Sequence, residues 1–155
     1  MRKPTFVLLH GAWHNPTCYT AVQSHLFAHG YTATCPLFPS VGYNHPPSNK
    51  NALEADIETV RSTVEDLVDD GKDVIVVMHS YSGIPGGAAL EGLDKKSCEE
   101  RGIRGGVVRL VYLMAWMVAE GYMHTAEGGK RDDSDGAVEV DEKVRIVTCL
   151  SFCSL

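Results

Sequence analysis

The stretch DVIVVMHSYSGIP, Asp73–Pro85, decides the fold of this 155-residue chain. Val74–Met78 is continuously apolar, which is typical of a strand buried on both faces of a sheet. A sharp turn over His79–Gly83 follows, and Ile84–Leu93 then has the pattern of a short helix. A turn of this kind projects the hydroxyl of Ser80 above the sheet and directs the amides of the following helix toward it. That arrangement suits a nucleophile whose transition state develops negative charge on oxygen.

The flanks of the serine only partly fit the usual Gly-x-Ser-x-Gly pattern, in which two small residues let the backbones of the turn approach each other. Ser82 is small enough for its position, whereas Met78 departs from the pattern. The turn by itself therefore leaves open an ordinary strand-to-helix connection that happens to contain a serine.

A second feature lies near the start of the chain. Thr5–Leu9 is another short apolar run, and His10-Gly11-Ala12-Trp13 follows it as a turn. In a parallel sheet this loop is expected to lie beside the Ser80 turn. The main-chain amides of Ala12 and Tyr81 could then form an oxyanion hole.

The rest of the chain alternates strand and helix patterns, which predicts a three-layer α/β fold with a mostly parallel sheet. The helix over Asn51–Asp70 has apolar residues at spacings of three and four, with Asp56 among the charged residues at its other positions. In the helix over Cys18–His29, four apolar residues are expected to share one side: Tyr19, Val22, Leu26 and Phe27. Further strands are predicted at Tyr31–Cys35, Val107–Ala115 and Val144–Leu150, and a polar connection at Asp94–Gly105.

Composition narrows the classes of function. Hydrophobic residues make up 44% of the chain, and the net charge of −6 argues against nucleic acid and anionic membranes as partners. No run approaches the roughly 18 apolar residues of a membrane span. Five irregularly spaced cysteines favour reduced thiols and a cytoplasmic location. We expect neither a metal nor a cofactor.

Three segments, TFVLLHGAWHNPTCY, VIVVMHSYSG and RLVYLMA, resemble the serine α/β-hydrolase superfamily. They are most similar to small fungal and plant esterase-like members, whose relatives include methylesterases and hydroxynitrile lyases. The similarity extends from about Thr5 to Ala115, or as far as Gly121. It implies a partial α/β-hydrolase fold with the Tyr31 strand at one side and the Val107 strand at the other. It also implies Ser80 as nucleophile, with the Ala12 and Tyr81 amides as oxyanion donors.

The resemblance places the catalytic acid and histidine of the family later than the similar region, and neither is found in this chain. We therefore expect residues 1–121 to be the N-terminal part of the core, residues 122–155 a cap remnant with a divergent tail, and the chain to be truncated. His14 is the first alternative base, and Trp13, His14 and Trp116 are expected to border a pocket.

The expected function is a carboxylesterase-like serine hydrolase of small esters, catalytically incomplete as given. The alternative is a non-enzymatic remnant that binds a small apolar ligand. The apolar Val107 strand, left at the edge of a shortened sheet, also predicts self-association.

Overall fold

The computed structural model describes residues 2–41 and 52–117 of the chain. These residues form a four-stranded parallel sheet with the strand order β2-β1-β3-β4. The strands are β1 (Thr5–Leu9), β2 (Thr32–Thr34), β3 (Asp73–His79) and β4 (Gly106–Leu113). The order places β1 and β3 in the centre and β2 and β4 at the two sides, as the resemblance implied.

Helices cover both faces of the sheet, which confirms the three-layer α/β prediction. They are α1 (Thr20–Ala28), α2 (Ala52–Asp69), α3 (Gly83–Ala89) and α4 (Lys95–Glu100), with 3-10 turns at Pro16–Tyr19 and Ser80–Ser82. None of the helices within 2–41 and 52–117 combines the length and apolarity that crossing a membrane requires.

The central strands are apolar over Phe6–Leu9 and Val74–Met78, because alternate side chains enter cores on opposite faces of the sheet. On β3, Val76 and Met78 pack in the cluster covered by α2, while Val77 packs with Leu8 and Tyr19 on the opposite face. Burial on both faces therefore explains the unbroken apolar run from which the sequence prediction began.

Helix α2 follows the predicted pattern with one exception. Val60, Val64 and Val68 recur at a spacing of four and are buried on the sheet. Asp56, expected among the solvent-facing charges of this helix, is fully buried instead. The prediction was wrong at this position because tertiary hydrogen bonds, described below, supply partners that helical periodicity does not reveal.

The apolar side predicted for the first helix does not form as one face. Cys18 and Tyr19 belong to the 3-10 turn, so the helical phase changes before α1 begins at Thr20. Tyr19 is buried, whereas Val22 is 44% exposed and Phe27 75% exposed. A single helical period across both elements therefore predicted the wrong burial.

The stretch predicted as a polar connection, Asp94–Gly105, contains a helix, α4. The Asp94 side chain accepts a hydrogen bond of 3.0 Å from the Ser97 amide and caps its first turn. Cys98, within this helix, is buried. The capping aspartate was the available signal, but six residues are too few for a periodic pattern.

The strand predicted at Val144–Leu150 and the domain boundary at 121/122 lie outside the described residues.

Candidate functional site

Several residues with strained backbone conformations lie at the carboxyl edge of the sheet. Trp13, Ser80 and Met114 are the non-glycine residues of the described ranges with positive φ, at 61°, 54° and 47°. They follow β1, β3 and β4, respectively. Such conformations cost of order 1–3 kcal/mol each and cluster at functional sites, where the surrounding structure enforces them. This edge is therefore the candidate site.

The loop after β1 lies directly against the Ser80 turn. A Cβ atom on Gly11 would lie 3.0 Å from Nδ1 of His79 and 3.4 Å from the Cβ of Ser80. A side chain at this position would require the His79 ring to shift by a few tenths of an ångström. The two segments that carry the Ala12 and Tyr81 amides therefore meet at one point of the sheet edge. The role of these amides as oxyanion donors stays a prediction.

Ser82 joins the ends of the two central strands. Its fully buried hydroxyl accepts a hydrogen bond of 2.7 Å from the His79 amide and donates to the Leu9 carbonyl at 2.9 Å. A glycine at this position would fit the usual motif but would lack the hydroxyl. The serine thus fastens the Ser80 turn to the end of β1.

The unusual Met78 is accommodated by a glycine further along the chain. Its side chain is fully buried, and a Cβ atom on Gly86 would lie 2.7 Å from its sulfur. Gly86 belongs to α3, the helix that follows the turn. The space that the usual motif obtains from a small residue before the serine is therefore supplied here by Gly86.

A third segment crosses the turn from the far end of β4. The Trp116 amide donates a hydrogen bond of 3.1 Å to the Ser80 carbonyl. A Cβ atom on Gly83 would lie 2.1 Å from the Trp116 carbonyl oxygen, so this contact requires glycine. The main-chain contact of Trp116, a residue expected to border a pocket, has no signal in the sequence because no local pattern indicates it.

Two histidines near the turn have different environments. Both ring nitrogens of the buried His10 are engaged, with the Gly11 carbonyl at 3.0 Å and the Phe38 amide at 3.3 Å, and burial lowers its pKa. The exposed His14 lies with its ring 6.0 Å from that of His79. Burial, and then the neighbouring His14, lower the pKa of His79.

Among the residues that the structure describes, His14 has a hydrogen-bond partner for one ring nitrogen and none for the other. Its Nδ1 lies 2.8 Å from the Ala12 carbonyl, which can only accept a hydrogen bond. In the neutral ring Nδ1 is therefore the donor and Nε2 carries the lone pair. Of the three residues expected to border a pocket, Trp13 is 94% exposed and Trp116 52% exposed at this edge.

Two open cavities lie at the opposite edge of the sheet. The larger, about 620 Å³, is bordered by Lys3, Lys72 and Arg104, and the smaller, about 490 Å³, by Asp70 and Arg104. Both are next to residues that precede or begin the strands, far from Ser80. The described ranges contain no cluster of His, Cys, Asp or Glu suited to a metal ion.

Sequence comparison agrees with this architecture. A family model described as "Alpha/beta hydrolase family" matches residues 6–141. The chain is 33% identical over 127 residues to alpha/beta hydrolase nvfD of Aspergillus novofumigatus (strain IBT 16806), covering 82% of this chain and 49% of that protein. It is 30% identical over 122 residues to Methylesterase 4 of Arabidopsis thaliana, covering 74% and 40%, respectively.

The solved structures agree on the fold. A mutant of polyneuridine aldehyde esterase superposes with a TM-score of 0.61 at 19% identity, over 78% of this chain and 44% of that one. The chain thus belongs to the alpha/beta hydrolase family, whose named relatives include esterases. It spans about half or less of the length of these relatives.

Proposed function

We propose that this chain is a carboxylesterase-like serine hydrolase of small carboxylic esters, with Ser80 as nucleophile. The observation that carries the proposal is the φ of 54° at Ser80, at the carboxyl end of β3 and beside the Gly11 loop. Strain at a strand-to-helix turn is how α/β-hydrolases hold a serine hydroxyl above the sheet. Family membership and the esterases among the relatives support the same chemistry.

In this mechanism the Ser80 oxygen attacks the ester carbonyl carbon and loses its proton to a base. The carbonyl electron pair moves onto oxygen, where the Ala12 and Tyr81 amides would donate hydrogen bonds. Collapse of this intermediate releases the protonated alcohol and leaves an acyl-serine, which water then hydrolyses. Removing one oxyanion donor typically lowers kcat by about 10²–10³.

A serine hydroxyl is a weak nucleophile without a neighbouring base. The usual family histidine would follow the similar region, outside the described residues. Among the described residues His14 is the base we propose to test first, because its Nδ1 is engaged at the Ala12 carbonyl and its Nε2 can accept a proton.

The proposal is tested by hydrolysis of p-nitrophenyl acetate. We expect only slow turnover in the unaltered chain, because the family's acid and histidine are not found in it, and loss of that turnover in Ser80→Ala. This variant keeps every histidine and so also measures background hydrolysis by imidazole. Ser62→Ala removes an exposed serine of α2 and serves as the matched control. Equal rates in the unaltered chain and in Ser80→Ala would contradict the proposal.

Labelling by a fluorophosphonate tests the base. If no histidine assists Ser80, labelling should be slow or undetectable. Rapid stoichiometric labelling at Ser80 that His14→Gln abolishes would identify His14 as the base.

The second candidate function is binding of a small apolar ligand without catalysis. The exposed rings of Trp13 and Trp116 at the site edge favour it, because exposed aromatic surface commonly marks a binding site. Quenching of tryptophan fluorescence by an ester that is bound but not hydrolysed would support this alternative. The small-molecule partner and the cytoplasmic location stay proposals.

A further inference from the structure

A buried carboxylate lies behind the Ser80 turn. Asp56, in the first turns of α2, is fully buried and accepts three hydrogen bonds from residues that the structure describes. The donors are the Ser40 amide at 3.0 Å, the Ser40 hydroxyl at 2.6 Å and the Tyr81 hydroxyl at 2.8 Å. Within 2–41 and 52–117, no lysine or arginine forms an ion pair with this carboxylate.

Burial of a carboxylate is an expensive way to stabilise a fold. Well-packed apolar residues of similar volume often stabilise a fold as much as buried ionic groups do, or more. A buried polar group is therefore better explained by a specific arrangement of neighbouring groups that it imposes. Asp56 therefore calls for a role beyond packing α2 against the core.

The arrangement that Asp56 fixes is that of Tyr81. The Tyr81 ring packs edge-on against Phe38, with ring centroids 6.1 Å apart. Its hydroxyl donates a hydrogen bond to the Asp56 carboxylate. Phe38 in turn contacts the ring of His10, at the end of β1. The side chain of Tyr81 is thus held by α2 and by the loop after β2, both outside the Ser80 turn itself.

The strained backbone of Ser80 explains why the Tyr81 side chain needs to be held in place. A non-glycine residue at φ 54° persists only where its neighbours are fixed from outside the turn. Tyr81 is the next residue, and charge-assisted hydrogen bonds such as that from its phenol to Asp56 are stronger than neutral ones. Burial, and then Asp56, raise the pKa of Tyr81, so the phenol keeps the proton that this bond needs.

We propose that Asp56 is a positioning residue, which holds the main-chain amide of Tyr81 at the oxyanion position through the Tyr81 phenol. The inference rests on the proposed function, because it assumes that this amide serves as an oxyanion donor. Asp56 itself does not touch the substrate.

The test uses Tyr81→Phe and Asp56→Asn, separately and combined, in the full chain. Tyr81→Phe is the milder change, since it keeps the ring and its contact with Phe38. Arg61→Gln is the matched control: it lies further along α2 and loses hydrogen bonds to the Ala89 and Glu91 carbonyls, away from the turn.

Two measurements are made on each variant. The first is hydrogen exchange at the Tyr81 amide by NMR, relative to the Val76 amide in the centre of β3. We expect about tenfold faster exchange at Tyr81 in Tyr81→Phe and Asp56→Asn, with the ratio unchanged in Arg61→Gln. The second is Ser80-dependent ester turnover. Here we expect kcat to fall about 10- to 100-fold with little change in KM, and the double variant to be no worse than the single ones.

The outcomes separate the two proposals. Absence of Ser80-dependent turnover in the unaltered chain would defeat the proposed function, while the exchange ratio would still report on the anchoring of Tyr81. An exchange ratio in Tyr81→Phe and Asp56→Asn equal to that of Arg61→Gln would overturn the inference. So would normal kcat in both variants of an active chain.

Discussion

Replacement of Gly83 by alanine tests whether the Trp116 segment really lies against the Ser80 turn. Gly83 has φ −61° and ψ −29°, a helical conformation that alanine adopts without strain. Its backbone therefore gives no reason for glycine. Any cost must come from the new methyl group, which would lie 2.1, 2.8 and 2.9 Å from the Trp116 carbonyl oxygen, amide nitrogen and carbonyl carbon.

The magnitude follows from these distances. Carbon contacts are normally about 3.5–4.0 Å, so the Trp116 backbone must move by more than about 1 Å. Overpacking of this kind costs typically about 1–3 kcal/mol. The displaced Trp116 amide also loses its hydrogen bond to the Ser80 carbonyl, which adds about 0.5–1.5 kcal/mol.

Gly87→Ala is the matched control within the same helix. Apart from Gly87's own helix, no atom of the described residues lies within 4 Å of a Cβ at this position, so the added methyl group creates no clash among them. Its higher helix propensity should stabilise the fold by about 0.5–1 kcal/mol. The same gain applies to Gly83→Ala and cancels in the comparison. We therefore expect Gly83→Ala to be about 2–4 kcal/mol less stable than Gly87→Ala.

Urea unfolding followed by circular dichroism measures this difference, with linear extrapolation of the unfolding free energy. In a Trp13→Phe background, Trp116 is the remaining tryptophan, and its emission reports the displaced segment. A difference below about 0.5 kcal/mol, with unchanged Trp116 emission, would refute the proposed contact between the segment and the turn.

Three further predictions concern the core, the pH dependence and the sheet edge. Relative to Gly87→Ala, which has the same gain in helix propensity, Gly86→Ala should cost about 1–3 kcal/mol in urea unfolding. The cost should be clearly smaller in a Met78→Ala background, because the shortest contact is with that sulfur; equal costs in both backgrounds would contradict this reason. Burial lowers the pKa of His10 below 6.5, so the unfolded chain binds the proton first as the pH falls, and stability present above pH 6.5 should be lost below it. The decrease in unfolding free energy between pH 7.5 and pH 5.5 should therefore be smaller in His10→Gln than in the unaltered chain. An equal decrease in both would show that the His10 ring does not titrate as inferred. Self-association through β4 stays a prediction: size-exclusion chromatography should give a larger species for the unaltered chain and a monomer for Val108→Lys, which places a charge at an exposed strand position; a monomer in both cases would rule it out.

Much of the fold could be predicted because its signals are local. A strand buried on both faces must be apolar at successive residues, so the central strands were visible as short apolar runs. The 3.6-residue period of α2 likewise fixed its length to within a residue at each end: Asn51–Asp70 was predicted and Ala52–Asp69 is observed. The position of Ser80 at the end of β3 followed from the order of these two kinds of pattern.

Other features depended on partners distant in the sequence. The Ser82 hydroxyl contacts the Leu9 carbonyl 73 residues away, and Asp56 binds the Tyr81 hydroxyl across 25 residues. In the sequence, Asp56 was indistinguishable from the solvated acids of the same helix. Periodicity assigns a residue to a helix face, but whether a charge on that face is buried depends on which donors other segments bring to it.

The sequence by itself thus determined the alternation of strands and helices and the turn that carries Ser80, because backbone periodicity and burial on two faces act over a few residues. The order of the strands was implied only by the resemblance to a known family. Tertiary structure alone decided why Gly83, Gly86 and Asp56 occupy their positions. Gly83 contacts a main-chain segment, Gly86 contacts a sulfur atom and Asp56 accepts a hydrogen bond from a hydroxyl group, and only the folded chain brings these partners within contact distance.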